Sequence, residues 1–503
     1  MEPEGCSREN RRPPRIQPRP GERLRNGHLA GRPGLRGGVH AVAWHNRRRM
    51  TTPRITAARF AAVLLASSLV ASCGSAGPTL APATASSGSP SIAPSASPGP
   101  GASPRPSAAA FTCDPAASPA PAATSAAGDP SAATFTEIEA QVQELRGIHA
   151  TRPVARGLLD QAGLRAYLCT TLAEQSPPAL VAATEALYKH LLLMPQDASL
   201  QELYLDLLSS QVIGLYDTKA KSMFVVTNDG RVGPADEITY AHEFTHALQD
   251  QAFNLETLKG KALDEGDRSL AITSLVEGDA YLLMTLWAKQ HLKADELAQV
   301  AGSTDPAASA ALDSLPAILK EPLLAVYSTG LSVALDAWSQ GGFSGVDALY
   351  ANPPVSMEQI LHKDKLASRE PPVRVTFPDD LAGRLGPGWT VSVQDTLGEL
   401  QLGIILKEGG AAAPDDAAAG WGGDRIALLE GPDGKEAVVL DTAWDTAADA
   451  DEYARALQAT ADKLNAAGRS ASVLRPSQQR VVLVSGDSAD TMGRVANVLG
   501  LAQ

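Results

Sequence analysis

The sequence predicts an α+β protein, in which a mainly helical domain with a small β-hairpin or sheet (residues 134–370) precedes a small α+β module (residues 371–503). Two observations support this prediction. In the first region apolar residues recur mostly at helical spacing, but two short apolar runs surround the polar stretch 217–221, which is typical of a β-hairpin. In the second region short apolar runs and helical segments follow one another in the order ββαββα.

Residues 1–49 are a basic segment without an apolar period. They hold twelve Arg and four Glu, whereas the whole chain carries −13, so residues 50–503 carry −21. We interpret 1–49 as a segment upstream of the true initiator, with a disordered basic arm as the alternative. The acidic remainder argues against a nucleic-acid partner, because phosphate binding requires a basic face.

Residues 50–73 are predicted to be a lipoprotein signal peptide. A positively charged start is followed by the apolar stretch 60–71, which is too short to span a bilayer. The letters LVASC at 69–73 resemble the lipobox of bacterial lipoproteins. The resemblance implies that Cys73 is lipidated and anchors an extracytoplasmic protein to the bacterial cell membrane, with an ordinary secretory signal as the alternative.

Residues 74–133 are predicted to be a disordered linker, because Ala, Ser, Pro and Gly dominate this stretch and bury too little apolar surface to fold. Four Cys occur in the chain, and two of them, Cys113 and Cys169, lie outside the leader and the anchor. In an oxidising exported setting we expect these two to form a disulfide, with two free thiols as the alternative.

The spacing of apolar residues also predicts individual elements. Helices are expected at 136–148, 160–172, 177–193, 200–208, 234–251, 268–291, 303–312, 316–338 and 355–361, and hairpin strands at 212–216 and 223–227. In the C-terminal module we expect strands at 425–429, 437–440, around 473 and at 481–484, and helices at 447–466 and 489–499.

The sharpest functional signal is the run HEFTH at residues 242–246. His242 and His246 are four residues apart, so on a helix both imidazoles lie on one face and can bind one zinc ion. Glu243 can then take a proton from a zinc-activated water. Apart from Glu243, no Asp, Glu, Lys or Arg occurs from 239 to 249, so this helix is predicted to be buried. A chance match is the alternative.

Residues 242–250 resemble the active-site helix of the thermolysin-like gluzincins, which are zincin metallopeptidases. The likeness is close over about nine residues and includes Asp250. It implies a zincin-like domain that hydrolyses peptides or proteins, with two His and a downstream Glu as zinc ligands and the motif Glu as general base. It also implies that an edge strand, here 223–226, pairs with the extended substrate. The chain is similar, too, to uncharacterised bacterial lipoproteins with this motif and a downstream Glu-Gly-Asp-Ala.

Glu277 is predicted to be the third zinc ligand. A catalytic zinc has three protein ligands and one open position, and no third His follows at short spacing. Glu277 lies on an apolar helix, where a carboxylate needs a cation, and Gly278 beside it would let two backbones approach closely. The alternative is Glu265, whose spacing is similar to that of gluzincin aminopeptidases but whose surroundings are a polar loop.

Other residues are predicted to assist the zinc site. Tyr327 begins a Tyr-x-x-Gly element that resembles the one in gluzincin aminopeptidases, and this resemblance implies that its hydroxyl stabilises the oxyanion. His362 is the rival donor, and a structural role is the alternative for both. Asp250 and Asp279 are candidates to accept hydrogen bonds from the outer nitrogens of the zinc-binding His.

The combined expectation is a lipid-anchored zinc metallopeptidase. Two other function classes stay open at this point: a lipid-anchored zinc- or substrate-binding protein without proteolytic activity, and a metallohydrolase acting on non-peptide amides of the cell envelope. Glu243 disfavours the binding protein, because a purely structural zinc site needs no general base.

Overall fold

A computed structural model describes residues 131–175, 177–212, 214–226, 232–260, 265–302 and 306–501. The predictions for 1–49 and 50–73, and nearly all of the linker 74–133, lie outside these residues, as do Cys73 and Cys113. The described part combines helices with a three-stranded and a five-stranded sheet, so the predicted α+β class is confirmed.

The region before residue 370 is mostly helical, as expected. Its elements are α1 (Ala132–Arg146), β1 (Ala155–Leu159), α2 (Gln161–Gln175), α3 (Pro178–His190), α4 (Leu200–Gln211), β2 (Gly214–Asp217), β3 (Ser222–Val226), α5 (Pro234–Phe253), α6 (Leu255–Gly260), α7 (Gly266–His291), α8 (Ala294–Gly302), α9 (Pro306–Asp313), α10 (Ala317–Gly341), α11 (Phe343–Ala351), α12 (Met357–Leu361) and α13 (Lys363–Ser368).

The three-stranded sheet has the order β1-β3-β2, with β1 parallel and β2 antiparallel to β3. The predicted hairpin is therefore present, as β2 and β3. The expectation that strand 223–226 lies at the edge is wrong, because β3 pairs on both sides. Within the described residues the antiparallel edge is β2, and it passes close to α5: a Cβ built on Gly214 would lie 3.3 Å from Cγ of Glu243.

Helices α7 and α10 cross at two glycines, and this crossing fixes the position of α7. A Cβ built on Gly278 would lie 2.2 Å from the carbonyl group of Gly330, a distance that real Cβ atoms do not reach. The close approach expected beside Gly278 is thus present.

Among the described residues, α10 alone is long and apolar enough to span a membrane, but 61% of its apolar window is buried, as in a core helix.

Replacement of Gly278 by Ala is expected to lower the free energy of unfolding by about 1–3 kcal/mol, because the new methyl group overlaps the backbone of Gly330. Urea unfolding measures the change. Gly493→Ala is the matched control, since this helical glycine has open space around it and is expected to stabilise by about 0.5–1 kcal/mol. Equal stability of the Gly278 variant and the wild type would contradict the crossing.

The C-terminal region holds α14 (Leu381–Leu385), β4 (Thr390–Asp395), α15 (Gly398–Gly409), α16 (Pro414–Ala418), β5 (Trp421–Glu430), a 3-10 turn (Pro432–Gly434), β6 (Glu436–Trp444), α17 (Ala447–Ala466), β7 (Ser470–Ser477), β8 (Arg480–Gly486) and α18 (Ala489–Val498). Its antiparallel sheet has the order β4-β5-β6-β8-β7. The predicted ββαββα order corresponds to β5 through α18, whereas β4 and α14–α16 were not predicted.

The core under this sheet extends across the predicted boundary at residue 370. One face of the sheet packs against α15, α17 and apolar residues of the first region, among them Leu187, Leu200 and Ile318. The start of α7 is also attached to the turn before α15, because Asp267 donates its backbone N–H to the carbonyl of Thr396 at 3.0 Å. The helix that carries Glu277 is therefore supported by both regions.

His190 lies buried at this junction. Its Nε2 is 3.0 Å from Oγ of Ser485 and its Nδ1 is 3.4 Å from a carboxylate oxygen of Glu436. Burial lowers the pKa of His190, although its hydrogen bond with Glu436 opposes the shift. The folded protein therefore holds this imidazole neutral at a pH where the unfolded chain takes up a proton.

The contribution of His190 to the free energy of unfolding is accordingly expected to fall as the pH drops below about 6.5, the ordinary pKa of His. The sign follows because the unfolded state then binds more protons than the folded state. Urea unfolding between pH 8 and pH 5 measures the slope. In His190→Gln the slope is expected to be smaller, and identical slopes for the two proteins would contradict this assignment.

Candidate metal centre

Helix α5 carries the HEFTH run through the interior of the protein. The helix begins with Pro234 in its first turn and with the side chain of Asp236 accepting a hydrogen bond from the backbone N–H of Gly233 at 2.8 Å. It ends at Asn254 in the left-handed conformation, with φ 54°. Every residue from 238 to 250 is buried, so the predicted burial of this helix is confirmed.

Three side chains converge between α5 and α7. Nε2 of His242 lies 2.9 Å from Nε2 of His246, and Oε2 of Glu277 lies 3.3 Å and 3.4 Å from these two nitrogens. The three residues can each offer one ligand atom within 4.8 Å of the others. The two rings are nearly perpendicular, at 86°, as i and i+4 imidazoles that point to one centre require.

The donor set fits a zinc ion. In a tetrahedral site with ligand bonds of about 2.0–2.1 Å, two ligand atoms lie about 3.3–3.4 Å apart. Both distances from Glu277 have this value, and the two imidazole nitrogens need to separate only slightly from 2.9 Å. Two imidazoles and one carboxylate, with the fourth position open, are one of the ligand sets of catalytic zinc in proteins.

The electrostatics of the cluster favour cation binding. Burial and the neighbouring His246 lower the pKa of His242 to about 4, so this imidazole is neutral. Burial alone would raise the pKa of Glu277, but the two histidines lower it well below its ordinary range. The pKa of His246 is raised, because the negative charge of Glu277 outweighs the opposing effect of burial. The ionised Glu277 and the neutral His242 can therefore bind a divalent cation directly, and His246 joins them once it has released a proton.

Glu243 lies on the same helix and is buried. None of the described residues makes a hydrogen bond of ordinary geometry to either of its carboxylate oxygens. Burial raises its pKa to about 8, and Glu277 adds to this effect, against the opposing effects of His246 and the backbone of Tyr216. A buried carboxylate of this kind has a high free energy unless it receives a proton or a partner, so it suits proton transfer.

Tyr327 approaches the cluster from α10. It is buried, and burial together with the charges of Glu277 and Glu243 raises the pKa of its hydroxyl, which keeps the phenol protonated. Its ring centroid is 6.5 Å from that of Tyr281. Tyr327 is therefore a protonated phenol on a helix that packs against α7, the helix of Glu277, at the glycine crossing.

Two alternatives from the sequence are not brought to the cluster. Glu265 is exposed just before α7 and pairs with Arg268 at 3.5 Å. His362 follows α12, and its Nε2 lies 2.7 Å from a carboxylate oxygen of the buried Glu399. In the described part of the chain His362 makes no hydrogen bond or ion pair with Glu243 or Glu277. Glu399 thus engages the Nε2 of His362, which disfavours this residue as the oxyanion donor.

The outer nitrogen of His246 has a partner that the sequence did not indicate. Its Nδ1 lies 2.8 Å from Oε1 of Gln249, and Asp279 contacts Gln249 without contacting the imidazole. Asp250 instead accepts hydrogen bonds from the hydroxyl of Tyr216 at 2.8 Å and from Lys221. The prediction that Asp250 or Asp279 bonds directly to a ligand His is wrong. Gln249 lies three residues after His246, and this helical spacing was the available signal.

Behind Asp279 lies a buried arginine that was also missed. Arg146, at the end of α1, holds both carboxylate oxygens of Asp279 through Nε and Nη2 at 3.0 Å, and Nη2 lies 2.6 Å from Asp347. Its guanidinium carbon lies 4.7 Å from the ring centroid of Phe343. The sequence offered no signal for this pair, because its two residues are 133 positions apart.

Cys169 in α2 is disulfide-bonded. The other three Cys of the chain, Cys6, Cys73 and Cys113, all precede residue 131, so the partner lies outside the described residues. Pairing with Cys113 stays a prediction.

Comparison with known proteins adds one finding. Residues 389–496 match the family model described as a domain of unknown function, DUF8575. The match extends from β4 to α18 of the C-terminal region and does not include the histidine pair. No curated protein and no solved structure matches the chain.

Proposed function

We propose that this protein is a zinc-dependent peptidase. The observation that carries the proposal is the buried convergence of His242, His246 and Glu277, with the buried Glu243 next to His242 in α5 and without a hydrogen bond of ordinary geometry to the described residues. A structural zinc site closes its four ligand positions and has no use for an unpartnered buried acid. We propose three protein ligands, an open fourth position and a general base next to it.

Zinc bound there would supply Lewis-acid activation of a water and of the scissile carbonyl. Glu243 receives the proton of the attacking water and passes it to the leaving amine. Its raised pKa, about 8 without the cation, suits this transfer, since a nearby positive charge brings such a pKa down toward neutrality. His242 is neutral and Glu277 is ionised, so both offer lone pairs to a cation, whereas His246, whose pKa Glu277 raises, gives up a proton when the cation binds.

Tyr327 is the proposed oxyanion donor. Burial and the charges of Glu277 and Glu243 keep its phenol protonated, so it can donate a hydrogen bond to an oxygen that gains negative charge. The strand proposed to pair with the extended substrate is β2, which lies at the antiparallel edge of the sheet and approaches Glu243 at Gly214. This role replaces the one expected for 223–226.

The proposed location is the outer surface of a bacterial cell membrane. The support is the sequence of residues 50–73, with lipid on Cys73, followed by the linker 74–133. The proposed substrate is a peptide or protein within reach of this tether, and the acidic charge of residues 50–503 disfavours nucleic acid.

The test is chelator-sensitive cleavage of an unfolded protein. Purified protein is incubated with unfolded casein, with and without a zinc chelator, and zinc is then restored to the chelated sample. We expect cleavage that stops with the chelator and returns with zinc. Stoichiometric zinc without cleavage would favour a binding protein. Cleavage of cell-wall fragments but not of casein would favour a hydrolase of non-peptide amides.

A further inference from the structure

The side chain of Gln249 has a fixed orientation next to His246. Its Nε2 lies 3.0 Å from the backbone carbonyl of Val276 and 2.8 Å from Oδ2 of Asp279. Both of these atoms are acceptors only, so the amide nitrogen must face them. The amide oxygen therefore faces Nδ1 of His246 at 2.8 Å, and Nδ1 must donate the hydrogen bond.

This donation determines the tautomer of the imidazole. A neutral His that carries its proton on Nδ1 has its lone pair on Nε2, the atom that faces His242 and Glu277. In the other tautomer an N–H group would point at the ligand position and block a cation. A neutral amide oxygen thus does here what a carboxylate or backbone carbonyl does behind most metal-binding histidines.

Asp279 in turn determines the orientation of Gln249. Its Oδ2 accepts hydrogen bonds from Gln249, from Arg146 and from the hydroxyl of Tyr350, each at 2.8–3.0 Å. The charge of Asp279 is balanced by Arg146, and both are fully buried. The amide of Gln249 lies between Asp279 and His246 and is uncharged. This network therefore fixes the orientation of His246 without placing a carboxylate against its Nδ1.

We infer that Gln249 is a positioning residue, which holds His246 in the Nδ1–H tautomer for zinc, and that Asp279 acts through Gln249. This inference rests on the proposed zinc site and deepens it. Asp250, the next residue of α5, has no such part, because its carboxylate is engaged by Tyr216 and Lys221. Two neighbouring polar residues of one helix are therefore expected to respond differently to substitution.

Zinc affinity is measured by competition with a chromophoric chelator for wild type, Gln249→Leu, Gln249→Glu and Asp250→Asn. Loss of a hydrogen-bond partner behind a metal ligand weakens metal binding about 10–100-fold, and we expect this for Gln249→Leu. Gln249→Glu keeps an acceptor for Nδ1 and is expected to bind zinc more tightly than the Leu variant, although the charge of Asp279 repels the new carboxylate. Asp250→Asn is expected to match the wild type.

Nitrogen NMR of the zinc-free wild type supplies an independent reading, with His246 expected to carry its proton on Nδ1 and Gln249→Leu to give a mixture of tautomers. If Gln249 only stabilised the fold, the zinc affinities of the variants would follow their stabilities, and the tautomer of His246 would not change. Wild-type affinity in Gln249→Leu, or a neutral wild-type imidazole with its proton on Nε2 in place of Nδ1, would overturn the inference. If the Leu variant does not fold, the wild-type tautomer decides. A wild type that binds no zinc but shows the Nδ1–H tautomer would refute the proposed function alone.

Discussion

Replacement of Glu243 by Gln is expected to lower the rate of peptide hydrolysis by about 10²–10⁴-fold, the usual contribution of a general base. Gln has almost the same shape as Glu, and Glu243 is not among the proposed ligands, so zinc is expected to stay bound. The expected result is therefore a folded, zinc-loaded and inactive protein. Turnover of a fluorogenic peptide and the zinc content of the same sample measure the two properties together.

In the absence of zinc, Glu243→Gln is expected to be more stable than the wild type. Burial raises the pKa of Glu243 to about 8, so the folded state resists ionisation that the unfolded chain undergoes near pH 4.5. The contribution of Glu243 to the free energy of unfolding therefore falls as the pH rises from 4.5 to about 8. In Glu243→Gln this part of the decrease is absent, so the difference in melting temperature grows with pH.

Glu399→Gln is the matched control for this experiment. Glu399 is also buried with a raised pKa, caused by burial and opposed by its hydrogen bond with His362, but it lies outside the zinc cluster. Activity is expected to persist in this variant. Full activity of Glu243→Gln, or an equal loss in both variants, would refute the assignment of the general base.

Removal of residues 371–503 is expected to prevent the first region from folding. Eight apolar residues of this region lie in the core under the C-terminal sheet: Leu187, Tyr188, Leu191, Leu193, Met194, Leu200, Ile318 and Leu319. Burial of one large apolar side chain contributes about 1.5–3 kcal/mol, so exposing eight costs more than about 10 kcal/mol, comparable with the whole stability of a domain. We expect no cooperative thermal transition in the fragment 134–370.

A pair of substitutions in α3 tests the same contact in the full chain. Leu187 is 3% exposed in this core, and Leu187→Ala is expected to cost about 2–5 kcal/mol. Leu180 is 37% exposed on the same helix, and Leu180→Ala is expected to change stability by less than about 0.5 kcal/mol. A fragment 134–370 that unfolds cooperatively and binds zinc would contradict the shared core.

The residues found from the sequence are those whose signal is local. His242 and His246 were predictable because helical spacing alone places i and i+4 on one face. Glu277 was predictable because an acid inside an apolar helix needs a cation, and the structure places it 3.3–3.4 Å from both imidazoles. The burial of α5 followed from its uncharged flanks.

The features that were missed depend on contacts between distant parts of the chain. β1 is a short strand that pairs with β3 across more than sixty residues, and no local pattern distinguishes it from a loop. The hairpin was predicted without β1, so β3 was taken for an edge. The apolar face of α3 predicted burial but not its partner, which is a sheet far along the chain.

The position of polar partners was likewise beyond the sequence. Asp250 and Asp279 were chosen because carboxylates are common behind metal-binding histidines. Which oxygen meets His246 depends on the crossing of α5 and α7, and that crossing selects the amide of Gln249. His362 was chosen for its residue type alone, and Glu399 holds it instead.

The most direct test of the zinc site is the metal content of three proteins: the wild type, Glu277→Ala and Glu265→Ala. Each is dialysed against zinc and then against buffer, and bound metal is measured by atomic emission. We predict one zinc ion per chain in the wild type and in Glu265→Ala, and loss of zinc in Glu277→Ala, because Glu277 lies beside both imidazoles whereas Glu265 pairs with Arg268. A wild type without zinc, or loss in Glu265→Ala with retention in Glu277→Ala, would contradict the proposed centre.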